Sequence, residues 1–193
     1  MTDLRSFAIN LAREAGQLIV HYRNIESVKR EFKDGLEMVT NADLEADQLI
    51  RKGIAETFPD HLLLSEESSP DLGNLEALDA PVWIVDPIDG TVNYAHGHNH
   101  SAVSIAYSED KQIRIGVVFN PFTNEMWVGE KGKGAFLNGE SIRVAEDKEL
   151  PRAIIATGFP YEKSELNIMI RRIEAVLNTC ADIRRNGSAA LDN

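Results

Sequence analysis

One stretch of this sequence, residues 82–91 (VWIVDPIDGT), constrains the fold more than any other. Its run of β-branched and aromatic residues predicts a buried strand, and the acidic residues with Pro and Gly that follow predict a turn at the strand's end. Asp86 and Asp89 lie in this turn. Carboxylate oxygens bind hard divalent cations such as Mg²⁺, and the backbone N–H groups of Gly90 and Thr91 can face an anion. The stretch therefore predicts a metal site beside a phosphate site.

The charge of the chain bears on its partners. The 193 residues include 31 acidic and 20 basic side chains, which give a net charge of −11. An acidic surface argues against nucleic acid and against anionic membranes, because both attract a basic surface. We therefore expect no nucleic acid and no membrane among the partners. A small-molecule phosphate ester remains compatible with this charge if metal ions supply the local positive charge.

The compartment is predicted from three features. The first residues show no signal peptide, and no apolar stretch approaches the length of a membrane span. Cys180 is the single cysteine, so the chain cannot form an internal disulfide, which is typical of a reducing compartment. We expect a cytoplasmic protein.

The apolar pattern predicts two helices, then a series of strands, then an alternating strand–helix segment. Helical spacing covers residues 4–22 and 40–58, and Thr40 with Asp43 indicates a capping box at the second start. Strands are predicted at residues 62–64, 82–85, 102–107, 113–119, 126–128, 135–137, 141–144, 153–156 and near 183, and helix starts or helices at 165–177 and 187–190. We expect an α+β metal- and phosphate-binding part at residues 1–150, followed by the beginning of an α/β part at residues 151–193.

Two clusters of side chains could bind metal. Glu66 follows one predicted strand, and Asp86 and Asp89 follow another, so neighbouring strand ends could bring the three carboxylates to shared cations. His96, His98 and His100 alternate and would share one side of a strand as transition-metal ligands. The alternative for the histidines, a polar loop without metal, is favoured.

Five segments together resemble the inositol monophosphatase family. They are residues 83–91 (its first signature motif), 33–43 (its Lys…Val-Thr-x-x-Asp segment), 65–68 (its Gly-Glu-Glu-Ser), 131–139 (its Gly-x-Gly-Ala-Phe…Asn-Gly hairpin) and 184–190, the segment before the substrate pocket. The resemblance covers essentially the whole chain. It implies a layered αβαβα sugar-phosphatase-like fold, truncated in its second half, and a homodimer.

The resemblance also implies roles for individual residues. The first Mg²⁺ would be bound by Glu66, Asp86 and the carbonyl of Ile88, and the second by Asp86 and Asp89. The catalytic group would be Thr91, Asp43 and Glu66, with Thr91 orienting the water that attacks phosphorus. Lys33 would lie near the metals. The substrate would contact a set of residues from two segments, namely Ile88, Asp89, Gly90, Thr91, Arg184, Gly187, Ser188 and Ala189.

The chain departs from the family pattern at several positions. Glu37 stands where Asp is usual, Met38 where Leu is usual, and Ser65 where Gly is usual, and all three changes are mild. The family continues to a Trp-Asp motif whose Asp is a further ligand of the second metal, and this chain contains no such motif. The C-terminal part is therefore expected to be lacking.

Two functions are predicted. The first is Mg²⁺-dependent hydrolysis of a small polyol phosphate, with myo-inositol monophosphate the first choice. Fructose 1,6-bisphosphate, histidinol phosphate and phosphoadenosine phosphate are alternative substrates. The second function is that of a catalytically inactive binding or regulatory protein of the same family.

Overall fold

The computed structural model describes residues 3–25, 28–33, 37–68, 80–146, 149–159, 164 and 166–192, with the backbone alone for residues 32, 33 and 37. Its centre is a seven-stranded sheet whose strands follow one another in chain order. The strands are β3 (Leu62–Ser65), β4 (Val82–Asp89), β5 (Ala102–Glu109), β6 (Gln112–Asn120), β7 (Glu125–Glu130), β8 (Gly134–Leu137) and β9 (Glu140–Ile142).

Strand direction in this sheet decides where its polar ends meet. β3 and β4 are parallel, and every later pair from β4 to β9 is antiparallel. Because β3 and β4 run the same way, the residues that follow them leave the sheet at the same edge. The predicted tight turn between β8 and β9 is confirmed: Asn138 and Gly139 both have positive φ, 50° and 87°, as such a two-residue hairpin requires.

Two helices cover one face of the sheet. α1 (Leu4–Asn24) begins at the cap Asp3, whose carboxylate accepts from the backbone N–H of Ser6 at 3.0 Å. α2 (Asn41–Thr57) begins with the predicted capping box of Thr40 and Asp43. Both helices bury small residues, and α1 packs against α2, β5 and β6. The core between helices and sheet contains the aromatic group Phe7, Phe58, Trp83 and Tyr107.

Three short elements escaped the sequence prediction. β1 (Arg30–Lys33) and β2 (Glu37–Thr40) form an antiparallel pair in a segment too polar and too short to show strand alternation. α3 (Thr91–Ala95) is a five-residue helix that begins directly after Gly90. Helices this short have little intrinsic stability, so their sequences carry little helical signal.

The C-terminal segment forms a parallel strand pair linked by a helix. β10 (Ile154–Ala156) pairs with β11 (Asp182–Arg184), and α4 (Leu166–Leu177) connects them, as predicted. The predicted helix start at residues 187–190 forms a turn instead, with the N–H of Asp192 donating to the carbonyl of Ser188 at 3.1 Å. The α+β fold class is confirmed, while the division at residue 150 stays a prediction. In the part of the chain described, no helix is both long and apolar enough to cross a membrane.

The contact between α1 and β6 makes a testable prediction. A Cβ at Gly16 would lie 2.6 Å from ring atoms of Phe119 and 3.2 Å from Pro121 Cβ, whereas a Cβ at Gly53 in α2 would meet mainly the flexible end of Leu11 at 2.9 Å. Overpacking costs about 1–3 kcal/mol, and Ala in place of Gly returns about 1 kcal/mol of helix propensity. Gly16→Ala should therefore lower the free energy of unfolding by up to about 2 kcal/mol, while Gly53→Ala should leave it unchanged or raise it. Denaturant unfolding measures both, and equal effects would contradict this packing.

Candidate metal and phosphate site

The predicted acidic residues lie together at the edge where β3 and β4 end. Ser65 is opposite Val85 in the parallel register, so Glu66 and Asp86 follow side by side. The register against β5 shifts between Asp86 and Asp89, as at a β-bulge. Glu66, Asp86 and Asp89 line a cleft of about 480 Å³. The rest of its lining is Ile88, residues 90–92, 154–159 and 187–189, Arg185 and Asp192.

Asp86 carries the strongest electrostatic perturbation of this cleft. Burial raises the pKa of Asp86 well above its usual value, and repulsion from Glu66 and Asp89 raises it further. The carboxylate also accepts from the N–H of Ile88 at 3.1 Å. As placed in the described segments, no three His, Cys, Asp or Glu side chains surround a common point closely enough to hold a metal ion. The donor chemistry nevertheless fits a hard cation, because carboxylate oxygens are the ligands that such cations prefer and a bound cation would relieve the repulsion of Asp86 by Glu66 and Asp89.

Thr91 and Asp43 form the second part of the site. The Thr91 hydroxyl lies 3.1 Å from Asp43 Oδ1 and 3.0 Å from the carbonyl oxygen of Ile88. Asp43 belongs to the first turn of α2 and is 1% exposed. Burial raises the pKa of Asp43 to about 6, although hydrogen bonds from Thr40 and Thr91 oppose the shift. The structure thus brings together the predicted pair, with a carboxylate that can exchange a proton near neutral pH.

A buried carboxylate next to this pair was missed by sequence analysis. Asp47, one turn after Asp43 on α2, is 3% exposed. It accepts from the hydroxyls of Ser65 at 2.5 Å and Ser68 at 3.1 Å, and Arg51 donates to it at 2.8 Å. Asp47 therefore anchors both ends of the turn that carries Glu66. Its signal in the sequence was an Asp four residues after Asp43 on the Ala-lined apolar face of the same helix.

Asp89 is held by the C-terminal turn. Its carboxylate accepts from the Ser188 hydroxyl and from the backbone N–H groups of Ala189 at 3.1 Å and Ala190 at 2.9 Å. Gly90 makes this contact possible: it has φ +86°, and a Cβ there would lie 3.0 Å from the Gly187 carbonyl. The predicted substrate residues Gly187, Ser188 and Ala189 thus line the cleft, and Ser188 and Ala189 also bind Asp89, a predicted metal ligand.

Other predicted residues lie differently. Arg184 pairs with Asp182, and in the described chain it is the next residue, Arg185, that lines the cleft. Lys33 ends β1, but its side chain lies outside the described residues. The histidines lie in the loop after α3, where His96 Nδ1 contacts the Val92 carbonyl at 2.8 Å and His100 Nε2 contacts Asp192 at 3.1 Å. The three histidines therefore lie in a polar loop and do not share one side of a strand.

The fold and the cleft together define a class: an α+β protein with clustered carboxylates and a Thr–Asp pair at the strand ends of a mixed sheet. Residues 1–192 match the inositol monophosphatase family, and the chain belongs to that family.

Similar proteins carry two kinds of name. "Nus factor SuhB" of Escherichia coli (strain K12) is 38% identical over 195 residues, which cover 100% of this chain and 72% of that protein. "Inositol monophosphatase 2" of Solanum lycopersicum is 37% identical over 195 residues, covering 100% and 73%. Among solved structures, the Thermotoga maritima IMPase has a TM-score of 0.82 and 38% identity over 97% of this chain and 69% of its own. The suhB protein of Bartonella henselae has a TM-score of 0.86 and 31% identity over 97% and 71%.

The exclusion of nucleic-acid partners is wrong. Relatives that align with the whole chain are named Nus factors, a name from transcription rather than from ester hydrolysis. The charge argument failed because a net charge of −11 is a sum over the whole surface. It bears on direct contact with a phosphate backbone, and not on membership of a complex through protein contacts.

The raised pKa of Asp86 predicts how the stability of the metal-free protein changes with pH. Because the folded state keeps the Asp86 proton at a pH where the unfolded chain has lost it, metal-free protein should lose stability as pH rises from about 4 towards the raised pKa. Asp86→Asn should therefore raise the free energy of unfolding at pH 8 by more than about 1 kcal/mol in the presence of a chelator. Glu56→Gln, on the exposed end of α2, is the control and should change nothing. Thermal unfolding at pH 5 and pH 8 measures this, and an Asp86→Asn variant less stable than the parent at pH 8 would contradict it.

Proposed function

We propose that this protein hydrolyses a phosphate monoester of a small polyol, with myo-inositol monophosphate as the first candidate, in a Mg²⁺-dependent reaction. The observation that carries the proposal is the hydrogen bond from Thr91 to the buried Asp43, because Thr91 lines the same cleft as the repelling carboxylates Glu66, Asp86 and Asp89. A proton-accepting pair beside mutually repelling carboxylates suits metal-assisted attack of water on phosphorus.

The acidic residues would hold the cations. Glu66, Asp86 and the Ile88 carbonyl would bind one Mg²⁺, and Asp86 with Asp89 a second. Bound Mg²⁺ supplies positive charge to the phosphate oxygens and lowers the pKa of water. Other groups of the protein orient these carboxylates. Asp47 fixes the turn of Glu66 through two serine hydroxyls, and the Ser188 hydroxyl with the backbone amides that follow it fixes the carboxylate of Asp89.

Thr91 would orient the attacking water. Its hydroxyl donates to Asp43 Oδ1, which leaves lone pairs on Oγ1 to accept a hydrogen bond from water. As water loses a proton, Oγ1 can take it and pass its own proton to Asp43 Oδ1. Asp43 suits this step, because its pKa of about 6 makes it a stronger base than an ordinary Asp.

The substrate would lie between the two parts of the chain. The backbone N–H groups of Gly90 and Thr91 would bind phosphate, and Ser188 and Ala189 would lie near the alcohol. Residues 1–150 would thus carry metal and phosphate sites, and residues 151–193 the wall towards the alcohol, where Arg185 lines the cleft. Arg184 and Lys33 remain predicted contacts. The single Cys180 fits a cytoplasmic protein.

A second candidate function is a binding role in a regulatory complex. The observation that favours it is the name Nus factor SuhB on relatives 38% identical over the whole chain. The two functions do not exclude each other, since the cleft and the outer surface are separate parts of one molecule.

Hydrolysis of inositol 1-phosphate tests the enzymatic proposal. With the full-length chain and Mg²⁺, phosphate release should fall at least about 100-fold in Thr91→Ala and in Asp89→Asn, because each removes a group that acts on water or cation. Asp110→Asn, exposed in the β5–β6 turn, is the matched control and should retain activity.

Two results would count against hydrolysis. The first is a parent protein that releases no phosphate from inositol 1-phosphate or the alternative esters at any Mg²⁺ concentration. That result would leave only the binding role. Activity that survives in Asp89→Asn would instead remove the proposed mechanism.

A further inference from the structure

One arginine far from the cleft in sequence makes an unusual set of contacts. Arg23, near the end of α1, donates to the Tyr94 carbonyl at 3.3 Å, to the His98 carbonyl at 3.0 Å and to the Asn99 side chain at 3.2 Å. The first acceptor lies at the end of α3 and the other two in the loop that follows it, all more than 70 residues away along the chain. A guanidinium presents several N–H donors in a fixed planar fork, so one side chain can hold several carbonyls in a defined arrangement.

Aromatic rings hold the guanidinium in this place. Its carbon lies 3.6 Å from the centre of the Phe122 ring and 4.7 Å from that of Tyr94. Burial lowers the pKa of Arg23 because the cation loses hydration there, and the ring faces and carbonyl oxygens replace part of the lost water. Tyr94 is itself fixed, with 1% exposure and its hydroxyl donating to the Ile19 carbonyl at 2.8 Å.

The contacts reach both ends of α3. The Tyr94 carbonyl lies at the C-terminal end of this five-residue helix, and Arg30 donates to the next carbonyl, that of Ala95. Cationic donors at the last carbonyls stabilise a helix end. The loop of His98 and Asn99 leads to His100, whose carbonyl lies against the start of the helix, 3.1 Å from where a Cβ on Gly90 would be. Asn93 closes the loop by donating to the same carbonyl at 2.7 Å.

A five-residue helix cannot hold its own position, since isolated helices need about 12 or more residues. Its position must come from the groups that bind it. The first residue of α3 is Thr91, whose hydroxyl must stay within 3.1 Å of Asp43 on a different helix. A displacement of about 1 Å in such a pair is enough to cost a large part of a reaction rate.

We propose that Arg23 is a positioning residue for the reaction: it clamps α3 and the 98–100 loop to α1, and so keeps the Thr91 hydroxyl on Asp43. Its effect on the reaction rests on the proposed phosphate-ester hydrolysis. The clamp itself rests on the contacts alone. Arg23 is not among the residues that line the cleft, and it would act through the placement of Thr91.

The test compares three variants of the full-length chain. Arg23→Met keeps the length of the side chain but removes every donor, Arg23→Lys keeps one charged donor group, and Arg13→Met removes an exposed arginine from the same helix as a control. Hydrogen exchange at the amides of residues 92–97 should become about 10-fold faster in Arg23→Met, less so in Arg23→Lys, and remain unchanged in Arg13→Met. This measurement needs neither substrate nor metal.

The kinetic arm measures phosphate release from inositol 1-phosphate with Mg²⁺. We expect kcat to fall about 10-fold in Arg23→Met, with partial rescue in Arg23→Lys. In a Thr91→Ala background, Arg23→Met should cost less than about twofold, because the group it positions is already gone. A purely structural role would give additive losses in the two backgrounds.

The outcomes separate the two claims. If exchange is faster in Arg23→Met but the parent protein has no phosphatase activity, the clamp is kept and the proposed function is overturned. Unchanged exchange in Arg23→Met, or exchange as fast in Arg13→Met, overturns the clamp. Faster exchange with additive kinetic losses overturns the link from Arg23 to Thr91.

Discussion

Repulsion among carboxylates at the ends of β3 and β4 is the constraint on which the rest of this structure depends. Parallel pairing of these strands places Glu66 beside Asp86, and the bulge after Asp86 adds Asp89 to the same cleft. Burial raises the pKa of Asp86, and repulsion from Glu66 and Asp89 raises it further. Ionising these carboxylates without a cation would therefore cost folding free energy, and a bound cation would offset that cost.

Residues of α1 and α2 position parts of the site through hydrogen bonds. α2 carries Asp43 and Asp47 one turn apart, and the first faces Thr91 while the second fixes the turn of Glu66. α1 reaches the far end of α3 through Arg23, and the C-terminal turn fixes Asp89 through Ser188. Groups from α1, α2 and the C-terminal turn thus position residues of the site, and support of this kind is what metal and phosphate sites generally use.

Sequence reasoning succeeded where local physics decides. The capping box of Thr40 and Asp43, the Asn138-Gly139 turn and the buried strand before Asp86 each have signals within a few residues. The short helix α3 was missed, because contacts distant in sequence hold it. For the same reason no local pattern could show that Asp47 binds Ser65. Nor could it show that Arg185, rather than the predicted Arg184, lines the cleft. The charge argument on partners failed differently, since net charge describes a whole surface and not one contact.

Anomalous scattering from crystals of the full-length protein soaked in Mn²⁺, a stand-in for Mg²⁺, tests the central claim most directly. The claim is that the carboxylates of Glu66, Asp86 and Asp89 are a cation site. The account predicts anomalous peaks at about 2.0–2.3 Å from oxygens of Asp86 and at least one of its two partners, lost in Asp86→Asn. Crystals that bind Mn²⁺ elsewhere but show no peak at Asp86 would contradict it.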